Sequence, residues 1–352
     1  MFNPQKERFM DQFMNNHPMF NPQKSTLLWL TVVVAVAMVV DAATSCVEAV
    51  FGCSNSTVMT ACLTPIHVRD DRGVVHTVPC GRCNACLVRA RAEWVARLKW
   101  EQRSAASSFF ITLTYDNEHL PIREYVDETS GVIAYAGVVS KDDVVKFNKR
   151  FRKILDKKYK TKVRFYLISE YGPTTLRPHY HACYFLDSVL DSDSVHSAAV
   201  AAWPFCNPIR LTVGPVLDER IKYVTEYCLT KNGIPDFLEP NFRLCSRNPG
   251  LGAAYVDKFK DWHLADKYNR FYVPQPDGDK CNLPRYYRDK IYDHASIIAR
   301  SRTLEDEAFA KEQAMFAEAG FDEKKYYRDR RAAIQDYNRR TNRFLNKKSK
   351  KI

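Results

Sequence analysis

His179 and His181 stand two positions apart in RPHYHACYF (177–185), a run of aromatic and apolar residues with the pattern of a strand. Side chains alternate faces along a strand, so this pair points one way with both imidazoles within reach of a single ion. The preceding run, Val163–Ser169, is also strand-like and ends at Glu170. Antiparallel pairing of the two runs brings Glu170 beside the histidines. Two imidazoles and a carboxylate on a rigid sheet leave coordination positions open, which suits a catalytic divalent cation better than a closed structural zinc.

A second focal stretch is Asp218–Leu229, DERIKYVTEYCL. As a helix it places Tyr223 and Tyr227 one turn apart on the same side, and Asn232-Gly233 supplies its stop. Alone, two tyrosines at this spacing are packing residues. Beside a cation site they fit one reaction class. A metal, Mg2+ or Mn2+, offsets charge on a scissile phosphate while a tyrosine hydroxyl attacks, leaving a 5′-phosphotyrosine link and a free 3′ hydroxyl. A phenol ionises near pH ~10, so a nearby cation such as Lys222 or Lys231 must favour the phenolate.

Cys80, Cys83 and Cys86 follow C-x2-C-x2-C spacing, with Cys62 upstream. Thiolates two residues apart wrap one tetrahedral zinc, and Cys62 can supply the fourth ligand. Reduced packing thiols and an iron–sulfur cluster are the alternatives. The chain has 11 cysteines, an odd number and unevenly spaced, which argues against a secreted disulfide framework.

The formal charge is +12, and Lys324–Ile352 holds 12 Lys and Arg against two Asp. A basic carboxy-terminal extension of this kind favours nucleic acid or an anionic surface, with a solubilising tail as the plain alternative. At 352 residues and 45% apolar, the chain has the composition of a globular protein with one large core or two domains.

The elements that must position these groups read as follows. Pro65–Val68 and Val74–Val78 are short extended runs about a turn. A basic helix covers Leu87–Arg103, and Ser108–Tyr115 reads as a central strand. Arg123–Val139 is poorly patterned. Ser140 caps a helix with Asp143 three residues on, and Val144, Phe147, Phe151 and Leu155 trace its apolar face. A helix near Val195–Trp203, a strand at Ile209–Val213 and a charged helical segment from Thr303 complete the outline.

The first 58 residues differ from the rest. MFNPQK occurs twice, and an apolar run of 14 residues, Leu27–Val40, falls short of the roughly 20 that span a bilayer. An export signal or short anchor, a buried apolar element, and a segment foreign to the folded protein compete. The pattern from Met59 onward favours the last, with Met59 as an alternative start.

The ordered set VPCGRCNAC, FFITLTYDNEHLP, SEYG, RPHYHA, YVTEYCLTK, SRNPGLG and LPRYY, spanning about Met59 to Tyr287, resembles the replication-initiation proteins of gokushovirus-type microviruses, small single-stranded DNA phages, within the His-hydrophobic-His endonuclease superfamily. The resemblance implies an α+β fold, with a central antiparallel sheet of about five strands, flanking helices and a Rep-type nicking core. It implies rolling-circle initiation, with nicking at an origin, attachment to the 5′ end and rejoining. On this reading His179, His181 and Glu170 hold the cation, Tyr227 and Tyr223 are the nucleophiles, and Lys231 assists. One departure is that a lysine ordinarily follows each tyrosine by three places, where this chain has Glu226 and Thr230. Implied partners are single-stranded DNA, the replicative-form origin and host replication machinery in the bacterial cytoplasm, with no stable membrane partner.

The expected organisation is 1–58 an extension, 59–106 the cysteine cluster and basic helix, 107–233 the nicking core, 234–302 an accessory part, and 303–352 a basic helical tail. Two rivals remain: a non-catalytic zinc-containing nucleic-acid-binding protein, and a metal-dependent hydrolase in which water attacks.

Overall fold

The architecture is that of a computed structural model describing residues 62–69, 71, 73, 75–128, 130–226, 234–274 and 280–349. The amino-terminal extension, Met59, Tyr227 and Lys231 lie outside the described residues. Strands β1 (Ile66–Arg69) and β2 (Val75–Val78) pair antiparallel and lead through the cysteine segment into α1 (Asn84–Ser104). Next come β3 (Ser107–Thr114), the hairpin β4 (Ile122–Val126) and β5 (Ile133–Gly137), α2 (Lys141–Tyr159), β6 (Val163–Tyr171), β7 (Pro178–Leu186), α3 (Ser192–Ala202), β8 (Thr212–Pro215) and α4 (Asp218–Glu226). The chain continues through β9 (Arg243–Cys245), α5 (Ala253–Leu264), β10 (Tyr272–Pro274), β11 (Lys280–Asn282), α6 (Arg285–Ile291), α7 (His294–Glu318) and α8 (Glu323–Ser349).

The main sheet has five strands in the order β8-β3-β7-β6-β9, with every pairing antiparallel. The fold is therefore α+β, with a five-stranded antiparallel sheet, flanking helices and further helices at the carboxy-terminal end. Its two faces follow from alternation along the strands. Phe109, Ile111 and Leu113 of β3, with Tyr180, Ala182, Tyr184 and Leu186 of β7, turn to one face. There they bury Val144, Phe147, Phe151 and Leu155 of α2 together with Trp203. The Ser140 cap forms as its sequence suggests, its side chain accepting from the Asp143 N–H at 3.2 Å and satisfying a donor that the first helical turn leaves open.

The opposite face carries Phe110, Tyr166, Ile168, Cys183 and Phe185, covered by Leu98 of α1, Ile221 and Val224 of α4, and Leu251. His179 and His181 share this face by the same period of two. The other side of α1 supports a third apolar group, with Trp100 packed against Tyr255, Val273, Leu283 and Tyr287.

Buried Glu101 ties these layers together. Its carboxylate receives the Arg164 guanidinium from β6 and the Gly252 main-chain N–H at 2.6 Å. Gly252 has φ +77°, and a Cβ there would stand 2.2 Å from the Tyr287 hydroxyl and 2.8 Å from the Arg97 carbonyl oxygen. Both the backbone angle and the space demand glycine.

Three local expectations change. Arg123–Val139 lies largely in the β4–β5 hairpin; Ile122, Val126, Ile133 and Tyr135 are exposed, so no buried face imposes a pattern on it. The strand expected at Ile209–Val213 begins at Thr212, because Pro208–Arg210 forms a 3-10 turn capped by Asn207. Helix α7 begins at His294, nine residues before the charged pattern, where the Asp293 side chain accepts from the Ser296 N–H at 2.7 Å. Among the described residues no helix is long and apolar enough to cross a membrane.

Candidate metal centre and the histidine–tyrosine group

The cysteine cluster forms where two short strands meet a helix start. Cys62 precedes β1, Cys80 follows β2, Cys83 is the N-cap residue of α1, and Cys86 lies in its first turn. No side chain caps this helix start, so its main-chain N–H groups and dipole favour anionic sulfur there. The four Sγ atoms all lie within 4.8 Å of one another, and those of Cys62 and Cys83 are 3.7 Å apart. A tetrahedral zinc about 2.3 Å from each sulfur sets sulfur–sulfur edges of about 3.8 Å. The donor set therefore fits zinc, with the remaining edges closing by about an ångström at most.

Hydrogen bonds prepare the thiols unequally. The Thr64 hydroxyl donates to Cys80 Sγ at 3.3 Å and, with the Arg82 N–H, draws its pKa down to about 5. The Cys83 N–H also donates to Cys80 Sγ, at 3.3 Å. Burial opposes ionisation of Cys83, but main-chain donors from Cys86 and Leu63 outweigh it. Burial raises Cys62 and pushes Cys86 up to about 12. A coordinated cation deprotonates thiols outright, so such differences do not bar a four-thiolate site.

The carboxy-terminal helix also reaches this cluster. Asn84 Nδ2 donates to Asn338 Oδ1 at 2.9 Å and to Asn342 Oδ1 at 3.5 Å. Tyr337 sits beside Cys83; burial raises its phenol and the thiolate charge adds to the shift.

The second group also assembles as a cluster. Glu170 on β6 is directly opposite His179 on β7, and His179 is in turn opposite Thr114 on β3. The two imidazole rings lie parallel within 6°, with centroids 6.4 Å apart. Tyr223 from α4 closes the group: its hydroxyl donates to Glu170 Oε2 at 2.5 Å and lies 3.3 Å from His181 Nε2. With the phenol proton committed to Glu170, Nε2 of the neutral imidazole is the donor to the phenol oxygen. Nδ1 then accepts from the Thr112 hydroxyl at 3.2 Å. Burial, with a smaller contribution from His179, pushes the His181 pKa down to about 4. Burial first, then the bond to Glu170, drives the Tyr223 phenol far above its ordinary range.

This geometry corrects the expectation of a metal-assisted tyrosine nuclease. Among the described residues, the ligand atoms that converge belong to Cys62, Cys80, Cys83 and Cys86, a soft set that selects zinc over Mg2+ or Mn2+. His181 turns a protonated nitrogen toward Glu170, where a metal ligand presents a lone pair, and Tyr223 is held as a neutral donor, opposite to what an attacking phenolate requires. The endonuclease, hydrolase and strand-transfer chemistry, with its magnesium, is therefore replaced by a structural zinc-binding role. Sequence reasoning did not find Thr64, Thr112, Asn84 and Tyr337, which complete the two clusters. Alternation along β3 could have placed Thr112 on the histidine face, whereas the contact of Asn84 with Asn338 leaves no linear signal.

Residues 108–232 match the family of replication-associated proteins named for ORF2. The chain is 27% identical over 198 residues to replication-associated protein ORF2 of Spiroplasma virus 4, covering 53% of this chain and 58% of that protein. It is 23% identical over 224 residues to replication-associated protein VP4 of Bdellovibrio phage phiMH2K, covering 60% and 66%. With replication-associated protein ORF4 of Chlamydia phage 1 the identity is 30% over 108 residues, 31% of this chain and 24% of that protein. The matches thus span less than two thirds of each relative's length. No solved structure matches the chain at a significant level. The sheet and the family match cover the same central segment, and the chain is a member of the Rep-protein superfamily related to the Rep proteins of phages.

Proposed function

We propose that this chain is a non-catalytic, zinc-stabilised nucleic-acid-binding protein acting in the replication of a small single-stranded DNA phage. The observation that carries the reading is the Cys62, Cys80, Cys83 and Cys86 cluster, whose four sulfurs lie within 4.8 Å of one another, at the head of a chain with formal charge +12. Zinc held by thiolates organises short loops that cannot bury a core of their own, and excess Lys and Arg supplies sequence-independent attraction to phosphate. Arginines on the family-matched side of the molecule support a strand-binding role. Arg243 lies over the Trp94 ring at 4.6 Å and Arg97 over the same ring at 4.3 Å, a combination of cation and aromatic that suits unpaired bases.

The finer placement, with gokushovirus-type microviruses, rests on the ordered motifs from VPCGRCNAC to LPRYY and on the phage relatives. Single-stranded DNA and the replicative-form origin are the proposed nucleic-acid partners, host replication machinery the proposed protein partner, and the host bacterial cytoplasm the proposed site of action.

The test incubates the intact, zinc-loaded chain with single-stranded oligonucleotides, with and without Mn2+. Fluorescence anisotropy is expected to show salt-sensitive binding, and a denaturing gel is expected to show unmodified DNA. A protein-linked product that survives denaturation overturns the reading.

A further inference from the structure

We propose that zinc in the four-cysteine centre seats helix α8 on the globular body, and so fixes where its cationic face meets the phosphate backbone of single-stranded nucleic acid. The inference rests on the nucleic-acid-binding reading for its partner and on separate contacts for the seating.

The two ends of α8 are held differently. Its first turns lean on α7, where the Tyr326 hydroxyl donates to Glu312 Oε1 at 2.7 Å and Arg330 pairs with the same oxygen at 2.9 Å. Farther along, Asn338 and Asn342 take the Asn84 amide, and Tyr337 is half-buried beside Cys83. Asn84 directly follows the ligand Cys83 and opens α1. The second anchor is therefore one residue from the metal.

That anchor depends on the metal because little else shapes the segment. All four residues of β1 are exposed, so Ile66–Val78 gains little from apolar burial. Loops of this kind take their conformation from the ion they bind. Four thiolates around Zn2+ also leave a net charge of about −2 at the site. This dianion faces a strongly cationic helix, and both Arg89 and Arg340 are close enough to act on Tyr337.

With Tyr326, Arg330, Ile334, Tyr337 and Asn338 turned inward, the outward face presents Lys324, Lys325, Arg328, Arg331, Arg339 and Arg340, all exposed. Phosphate is the chemistry this face recognises: it offers many cations and no apolar stripe, and backbone contacts require no base identity.

Hydrogen exchange by mass spectrometry on the full chain, zinc-loaded and chelated, tests the seating. Exchange across 334–342 is expected to rise about tenfold on chelation while 178–186 is unchanged. Asn84→Ala, which keeps all four cysteines, is expected to speed exchange in 334–342 at one zinc per chain by elemental analysis. Equal protection of α8 with and without zinc overturns the proposal. So does an Asn84→Ala protein that protects α8 like the parent, which decides the matter if chelation unfolds the whole chain. Anisotropy on the same samples separates the two readings: zinc-dependent seating without DNA binding in low salt sinks the nucleic-acid reading alone.

Discussion

The Tyr223 hydroxyl gives its proton to Glu170 Oε2 across 2.5 Å, and this bond determines what the histidine face does. A phenol that donates to a carboxylate and receives from His181 Nε2 is a cross-brace between α4 and the sheet. Tyr223→Phe is expected to lower stability by about 1 kcal/mol, a figure kept small because the Glu170 side chain is 40% exposed and water can replace the missing donor. Urea unfolding measures the cost. Affinity for single-stranded DNA should stay within about twofold of the parent, and a collapse of binding would count against a bracing role.

The four-cysteine centre predicts metal dependence confined to one end of the chain. Cys83→Ser and Cys80→Ser are each expected to reduce bound zinc from one per chain toward none, read by elemental analysis, because a structural site needs all four ligands. Substituting Cys183, which is buried in the sheet away from the cluster, should leave zinc content at one.

Buried Glu101 predicts a large energetic effect. Arg164 and the Gly252 N–H both depend on its carboxylate, and Glu101→Ala leaves the guanidinium without its partner. Removing one member of such a buried pair costs about 3 kcal/mol or more, which should appear as a marked fall in the urea midpoint.

Two histidines set the response to acid. His181 is held down to about 4. His263 is likewise lowered by burial, while it bonds to the Tyr255 hydroxyl at 2.8 Å and the Arg270 carbonyl at 2.6 Å. In the unfolded chain both take up protons near pH ~6.5. Between about pH 6.5 and 4 the unfolded state therefore binds more protons than the folded one, and stability falls as pH falls. His181 alone contributes a loss of up to about 3 kcal/mol over that window. Unfolding midpoints at stepped pH check the slope, and His181→Gln should flatten it.

The cationic face of α8 predicts salt dependence. Lys324→Gln with Arg331→Gln should reduce the slope of log affinity against log salt by about 1.4, near 0.7 for each single-strand phosphate that is no longer neutralised. An unchanged slope places the phosphate-binding cations elsewhere.

Much of the scaffold was legible because burial imposes periodicity. The α2 face, the Ser140 cap and the pairing that sets Glu170 beside His179 all follow from alternation or from 3.6-residue spacing. The β4–β5 hairpin was not, since neither face is covered. The cysteine cluster was legible as a zinc candidate from spacing. The inference from the histidine run to catalysis failed at a point spacing does not describe: which atom carries each proton. Thr112 and Glu170 settle that for His181 and Tyr223, and both act from neighbouring strands.

Gly252 has a consequence for how this chain tolerates change. A single added carbon would collide with the Tyr287 hydroxyl on one side and the Arg97 carbonyl on the other, while the same residue's N–H holds the Glu101 carboxylate. The position is a lock with no spare key: in a library covering every substitution, its alleles other than glycine should disappear under selection for folded protein, whereas Gly131, with nothing within 4 Å of an added carbon, answers only to its backbone angle.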